Sequence, residues 1–222
     1  GQAILRDLAS DADVFLTNVR PGGLARSGLD YASLAEVNPK LVYCTLTGYG
    51  LEGPDADKPG FDVASFWSRA GVANLTIPKG EEPFALRTAF GDHTTSMAAA
   101  AGICAALVKA QRTGKGQLVE ASLLRAALFA MGSDFSIQLF FGRIGSTKSR
   151  HEQIQPLMNF FKTKDGSWIC IVSRQGDVDW GPLCRVMDRA DLIEDKRYAT
   201  AKARRANSAE LVNLMDIEFG KY

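Results

Sequence analysis

The chain has 222 residues, 46% of them hydrophobic and 23% charged, an ordinary globular balance with enough apolar surface for a substantial core. A formal net charge of +1 gives no support to a nucleic-acid or membrane partner, whereas a small anionic ligand stays compatible with local basic spots. The four cysteines, Cys44, Cys104, Cys170 and Cys184, stand far apart without C-x-x-C spacing beside only two histidines, so no metal centre is expected; the thiols read as buried and free, in a reducing compartment such as the cytoplasm.

Taken in chain order, Ile4, Leu5 and Leu8 have the spacing of an amphipathic helix, with no signal-peptide pattern. Val14, Phe15 and Leu16 form an apolar run of the kind buried in a parallel strand, ending at the loop Asn18-Val19-Arg20-Pro21-Gly22-Gly23. A helix over residues 31–37 is stopped by Asn38-Pro39, and residues 41–46 read as a second buried strand, which implies a right-handed βαβ unit. In such sheets ligands bind beyond the carboxyl ends of the strands, so loops 18–23 and 47–53 are the expected walls of a crevice. Residues 51–59, rich in Gly, Pro and Asp, are loop, and Gly60-Phe61-Asp62-Val63 opens a helix to about Ala70.

The stretch Phe90-Gly91-Asp92-His93-Thr94-Thr95-Ser96-Met97 then leads into a run of small apolar residues. It places Asp92 immediately before a helix over 94–112, beside the positive end of the helix dipole, with the hydroxyls of Thr94, Thr95 and Ser96 close by. The abundance of alanine predicts close helix packing, and Thr113-Gly114-Lys115-Gly116 supplies a C-terminal stop. The run 98–108 is too short for a membrane span and is closed by Lys109 and Arg112. Residues 117–121 read as a strand and 123–141 as one long apolar helix, with Phe129, Phe135, Phe140 and Phe141 assigned to the core. A basic segment with Arg143, Lys148 and Arg150 marks a boundary between 1–145 and 146–222. Beyond it, residues 158–163 and 168–172 form a hairpin about Asp165-Gly166, followed by helices near 177–187 and 208–219. The expected fold is α/β: a Rossmann-like parallel sheet with flanking helices, plus part of a smaller α+β domain, in a chain that reads as cut at both ends.

No G-x-S-x-G elbow, phosphate loop, H-E-x-x-H or dinucleotide fingerprint is present, and Gly114-Lys115-Gly116 sits at a helix C-terminus, the wrong pole for phosphate. What remains is a carboxylate at a helix start, a strand-end loop with Asn18, Arg20 and Arg26, and a second acidic loop at Gly60-Phe61-Asp62.

The ordered series Asn-x-Arg-Pro-Gly, Arg-x-Gly-Leu, Asn-Pro-Lys-Leu-Val-Tyr, Thr-Gly-Tyr-Gly-x-x-Gly-Pro, Pro-Gly-Phe-Asp, Gly-Asp and Arg-Thr-Gly-Lys-Gly-Gln resembles the class III CoA-transferases, the CaiB/BaiF-like family. The resemblance runs from Ala12 through Arg125 and more loosely to Glu210. It implies an acyl-CoA:carboxylate CoA-transferase in which Asp92 is the catalytic nucleophile, forming a mixed anhydride and then an aspartyl-CoA thioester. Asn18, Val19, Arg20 and Arg26 match positions lining the CoA site, and Pro59, Gly60, Phe61 and Asp62 match the substrate-proximal loop. Family members are longer and form interlocked ring-shaped homodimers. The implied ligands are acyl-CoA, bound as substrate and not as a tightly held cofactor, and a small carboxylic acid.

Competing readings accompany each assignment. Asp92 alone reads as an N-cap, the arginines as solvated loop charges, and Asp62 as the cap of the helix after Gly60. His93 reads as incidental, because anhydride chemistry abstracts no proton, and Gln155, Asn159 and Trp168 are weaker candidates for the acyl pocket. Two functional alternatives stand: a 2-methylacyl-CoA racemase of the same family, which carries Gly-His-Asp where this chain has Gly60-Phe61-Asp62, and a non-catalytic acyl-CoA-binding homologue.

Overall fold

The computed structural model describes residues 1–87, 89–142, 145 and 147–222; Arg143, named above at the boundary, lies outside them. The chain divides into two compact units, one of Gly1–Ile77 with Glu81–Gly145, the other of Pro78–Gly80 with Ser146–Tyr222.

The first unit runs α1 (Gln2–Asp11), β1 (Val14–Thr17), α2 (Pro21–Arg26), α3 (Tyr31–Val37) and β2 (Val42–Thr47), and β3 (Gln117–Ser122) follows much later. The strands form one parallel sheet in the order β1-β2-β3, with Val14 opposite Val42 and Val42 opposite Gln117. Alternation along β2 shows why Val42, Tyr43 and Cys44 are apolar in succession. Tyr43 packs with Ala9, Leu24 and Leu34 on the face of α1 and α3, and its hydroxyl donates to the Leu29 carbonyl at 2.9 Å. Val42 and Cys44 point the other way, onto Ala99, Ala106 and Ala110 of α5 (Phe90–Thr113). Small residues let α5 lie close to the sheet: a Cβ on Gly102 would stand 2.8 Å from a methyl of Val119.

Several expectations need correction here. Helix α5 starts at Phe90, capped by Ala89 in the left-handed region (φ 67°), so Asp92 lies inside the first turn and not before it. The preceding chain, a π-helical segment Val63–Arg69 and α4 (Val72–Thr76), brings Asp62 to the helix start, where its carboxylate accepts the Gly91 N–H at 3.0 Å. Residues 123–141 form not one helix but α6 (Leu123–Ala130) and α7 (Gly132–Phe141), bent by 72° about Met131, where Gly132 is a weak helix former. Leu123, Ala126, Ala127 and Met131 pack on Phe66 and Trp67, and Phe135 joins them, but Phe129, Phe140 and Phe141 are 90%, 84% and 73% exposed. With the inner face of α6 taken by Leu123 and Ala127, Phe129 falls on the opposite side of the helix. The thiols divide as well: Cys44 and Cys184 are buried, Cys104 and Cys170 exposed, because the latter two lie on outward faces of α5 and of the strand over 168–172. Among the described residues no single helix is long and apolar enough to cross a membrane.

The second unit pairs β4 (Met158–Lys162) with β5 (Trp168–Val172) as an antiparallel hairpin, Met158 opposite Val172. Its turn is held by Asp165, which accepts from the Ser167 N–H at 3.0 Å, with Gly166 at φ 86°. α8 (Trp180–Val186), α9 (Ala201–Ala206) and α10 (Ser208–Phe219) enclose a core of Phe161, Trp180, Tyr198, Leu211 and Met215. The α9 turn, capped by Thr200, was not foreseen from the sequence.

Candidate active site

The parallel sheet and α5 converge on one cleft of about 460 Å³ at the carboxyl edge of the strands. Asn18 and Arg20 reach it from the end of β1, Thr47 and Gly48 from the end of β2, residues 59–62 from the following loop, and Asp92, Thr95 and Ser96 from the first turns of α5. Two glycines make this convergence possible by backbone approach. A Cβ on Gly48 would lie 2.6 Å from the Gly60 Cα, and one on Gly60 would lie 2.5 Å from the Gly48 Cα, so neither loop tolerates a side chain there. Gly91 is closed too, there by the side chains of Phe66 and Asp62.

Within the cleft, Asp92 is exposed in the first turn of α5, where the helix dipole favours a negative charge. The hydroxyls after it are not free donors: Thr94, Thr95 and Ser96 donate back to the carbonyls of Phe90, Gly91 and Asp92 at 2.9, 2.7 and 2.8 Å. Asp62 precedes the π-helical segment but makes no capping bond to it; its carboxylate holds Gly91 instead, stapling the 59–62 loop to the helix that bears Asp92. Phe61, 75% exposed, stands beside it as an apolar wall.

Of the residues named from the sequence, Asn18, Arg20, Pro59, Gly60, Phe61, Asp62 and Asp92 therefore line one cleft, whereas Val19, Arg26 and His93 do not. Val19 and Arg26 belong to the α2 region next to it, Arg26 closing the last turn of that helix. Asn159 is buried, with its amide nitrogen on the Arg150 carbonyl at 2.6 Å and its oxygen accepting the Phe160 N–H at 2.9 Å, so it shapes the second unit's backbone. Lys58 is a cleft residue that sequence reasoning passed over. Its ammonium pairs with Asp55 at 2.6 Å, which together with Arg69 holds that carboxyl below its usual range. The signal was its place directly before the Pro59-Gly60 pair. A second overlooked group is Glu120 on β3, which accepts the Leu51 N–H at 2.8 Å and pairs with Arg125 at 3.0 Å, fixing the loop after β2.

A parallel sheet with helices on its faces, a carboxylate at the start of a helix and an arginine at a strand end make an α/β protein with a crevice at the carboxyl edge of its strands, where ligands of such sheets bind. The profile of CoA-transferase family III matches residues 1–221, and the chain belongs to that family. It is 36% identical over 215 residues to the (R)-2-hydroxy-4-methylpentanoate CoA-transferase of Clostridioides difficile, covering 97% of this chain and 53% of that protein. It is 36% identical over 199 residues to the cinnamoyl-CoA:phenyllactate CoA-transferase of Clostridium sporogenes, covering 89% of this chain and 48% of that one. A crystal structure of a CaiB/BaiF family protein from Brucella suis superimposes with a TM-score of 0.89 at 31% identity, over 100% of this chain and 58% of that chain. The chain thus spans about half the length of the curated relatives it matches.

Proposed function

We infer that the protein is an acyl-CoA:carboxylate CoA-transferase in which Asp92 relays the coenzyme. The observation that carries this reading is the exposed Asp92 carboxylate in the first turn of α5, facing a cleft that also holds Arg20 and the 59–62 loop. Family membership and the CoA-transferase names of the relatives support it.

In the proposed sequence, an Asp92 oxygen attacks the thioester carbonyl, the C–S bond breaks, and CoA thiolate leaves an acyl–aspartyl anhydride. The thiolate attacks the aspartyl carbonyl, releasing the donor as its carboxylate and leaving an aspartyl-CoA thioester. The acceptor carboxylate attacks that thioester, expelling thiolate and forming a second anhydride. Thiolate then attacks the acceptor's acyl carbonyl, and Asp92 returns as a carboxylate. No proton or electron is gained or lost in the cycle, so no general base is needed. The N-terminal turn of α5 favours the charge that develops at each tetrahedral stage, and Arg20 meets the phosphates of CoA as a planar, always-charged donor. Asn18 belongs to the same CoA contact surface, with Val19 and Arg26 supporting it from α2, while Pro59, Gly60, Phe61 and Asp62 approach the acyl group. The uncovered apolar side chains of Phe129, Leu139, Phe140 and Phe141 agree with an interlocked homodimer as the working assembly, and a cytoplasmic setting with the free thiols.

The racemase alternative needs a base near the substrate α-carbon. Phe61 stands where that branch has histidine and has no proton to exchange, and His93 is outside the cleft walls. In deuterated water the protein is expected to move CoA from a 2-methylacyl-CoA to an added carboxylic acid without enzyme-dependent α-deuterium uptake. Rapid α-exchange without CoA transfer would replace this reading with the racemase and make His93 the first residue to mutate.

A further inference from the structure

The second unit holds a cleft of its own, about 300 Å³, whose walls carry Arg174, Lys202, Arg204 and Arg205 and, among the described residues, no carboxylate. The floor is rigidly built. Arg204 is 2% exposed, donates to the carbonyls of Tyr198 and Gly176 and to the Asp177 carboxylate, each at 2.7 Å, and lies over the Trp180 ring at 5.1 Å. These bonds tie α9 to the loop after β5 and fix the two walls relative to each other.

The acidic groups nearby are already committed. Asp177 accepts the Ala201 N–H at 2.6 Å in addition to Arg204, and Asp179 accepts from the Arg174 backbone N–H at 2.7 Å and from its Nε at 3.1 Å. Lys202 and Arg205, three residues apart and therefore on one face of α9, are left with no carboxylate partner among the described residues. In a chain whose formal net charge is only +1, this is a local concentration of positive charge in a concave, partly apolar setting, where field lines are focused. Ile154, Pro156 and Leu157 also line it and suit a short carbon skeleton.

We propose that this cleft is a binding site for a small organic dianion, a phosphate monoester or a short dicarboxylate, with Lys202 and Arg205 meeting its charge. The site shares no lining residue with the Asp92 cleft and does not depend on the CoA-transfer reading. Calorimetric titration at low ionic strength with inorganic phosphate and, in a parallel arm, with succinate tests it. Saturable binding is expected in the wild type, retained in Arg20→Ala, and weakened about tenfold or more in Lys202→Ala/Arg205→Ala, whose exposed positions leave folding intact by thermal unfolding. Binding of phosphate alone identifies a phosphate site, binding of succinate alone a dicarboxylate site, and binding of both a general dianion site. No saturable binding of either probe, unchanged binding in the double variant, or loss of binding in Arg20→Ala overturns the proposal.

Discussion

Removing the Asp62 carboxylate separates positioning from chemistry in the Asp92 cleft. In Asp62→Ala, the Gly91 N–H loses its acceptor at 3.0 Å, and the 59–62 loop loses its tie to α5. A hydrogen bond to a charged group contributes about 1.5–3 kcal/mol, and water entering the open cleft recovers part of that, leaving a net loss of about 1–2 kcal/mol. If that loss falls on the aligned transition state, kcat/KM for CoA transfer drops about 5- to 30-fold. Asp62→Asn keeps an acceptor oxygen in the same place and is expected to recover most of the activity. Steady-state transfer kinetics on the three proteins, alongside thermal unfolding, decide the matter. Wild-type kcat/KM in Asp62→Ala refutes the positioning argument, and equal damage in Asn and Ala refutes it too, since it would show that the charge itself acts on substrate.

Arg20→Ala should raise KM for CoA esters far more than it lowers kcat, because phosphate contacts are shared by ground and transition states, and Arg26→Ala, outside the cleft walls, should have the smaller effect. The reverse order between the two would remove Arg20 from the site. Gly48→Ala brings a Cβ within 2.6 Å of the Gly60 Cα, a backbone atom that cannot turn aside. Overpacking of this kind costs about 1–3 kcal/mol, which calorimetry should register as a fall in Tm of roughly 2–12 °C. Glu218, held below its usual carboxyl range by Lys221 and by Arg189 at 2.8 Å against the opposing effect of burial, stabilises the second unit in its charged form. Because the folded value lies below the unfolded one, that contribution is present above roughly pH 4.3 and is lost as pH falls through the lowered value. Denaturant unfolding at several pH values should therefore show a flatter acid limb in Glu218→Gln, and an unchanged limb would contradict the assignment.

β1 and β2 were legible as short apolar runs between turn residues, but only β2 is covered on both faces: Leu16 of β1, at the edge of the sheet, is 55% exposed and not buried as its sequence suggests. The start of α5 was not legible from local cues. Its first-turn donor is satisfied by Asp62, 29 residues earlier in the chain, so a rule that looks for a cap within a few residues assigns that task to Asp92. The bend at Met131 does have a local signal in Gly132-Ser133-Asp134, but a single Gly within a run rich in Leu, Ala and Phe is compatible with a continuing helix as well as with a break. The exposed Phe129, Phe140 and Phe141 show that apolar character alone does not bury a side chain without a facing surface. In the cleft, Asp92, Arg20 and the 59–62 loop were found through motif order. Lys58 was missed because a lysine three residues after an aspartate reads as an ordinary surface pair, which it also is.

The central claim is the covalent relay through Asp92. Its most direct test is to incubate the complete protein with a panel of acyl-CoA thioesters, quench in acid, and locate added mass by peptide mapping, with hydroxylamine in a parallel sample to convert an activated side chain to its hydroxamate. The account predicts an acyl or CoA adduct, and the hydroxamate, on Asp92 alone, with both the label and CoA transfer lost in Asp92→Ala. A label on any other residue, no label with any thioester of the panel, or transfer by Asp92→Ala at the wild-type rate contradicts it.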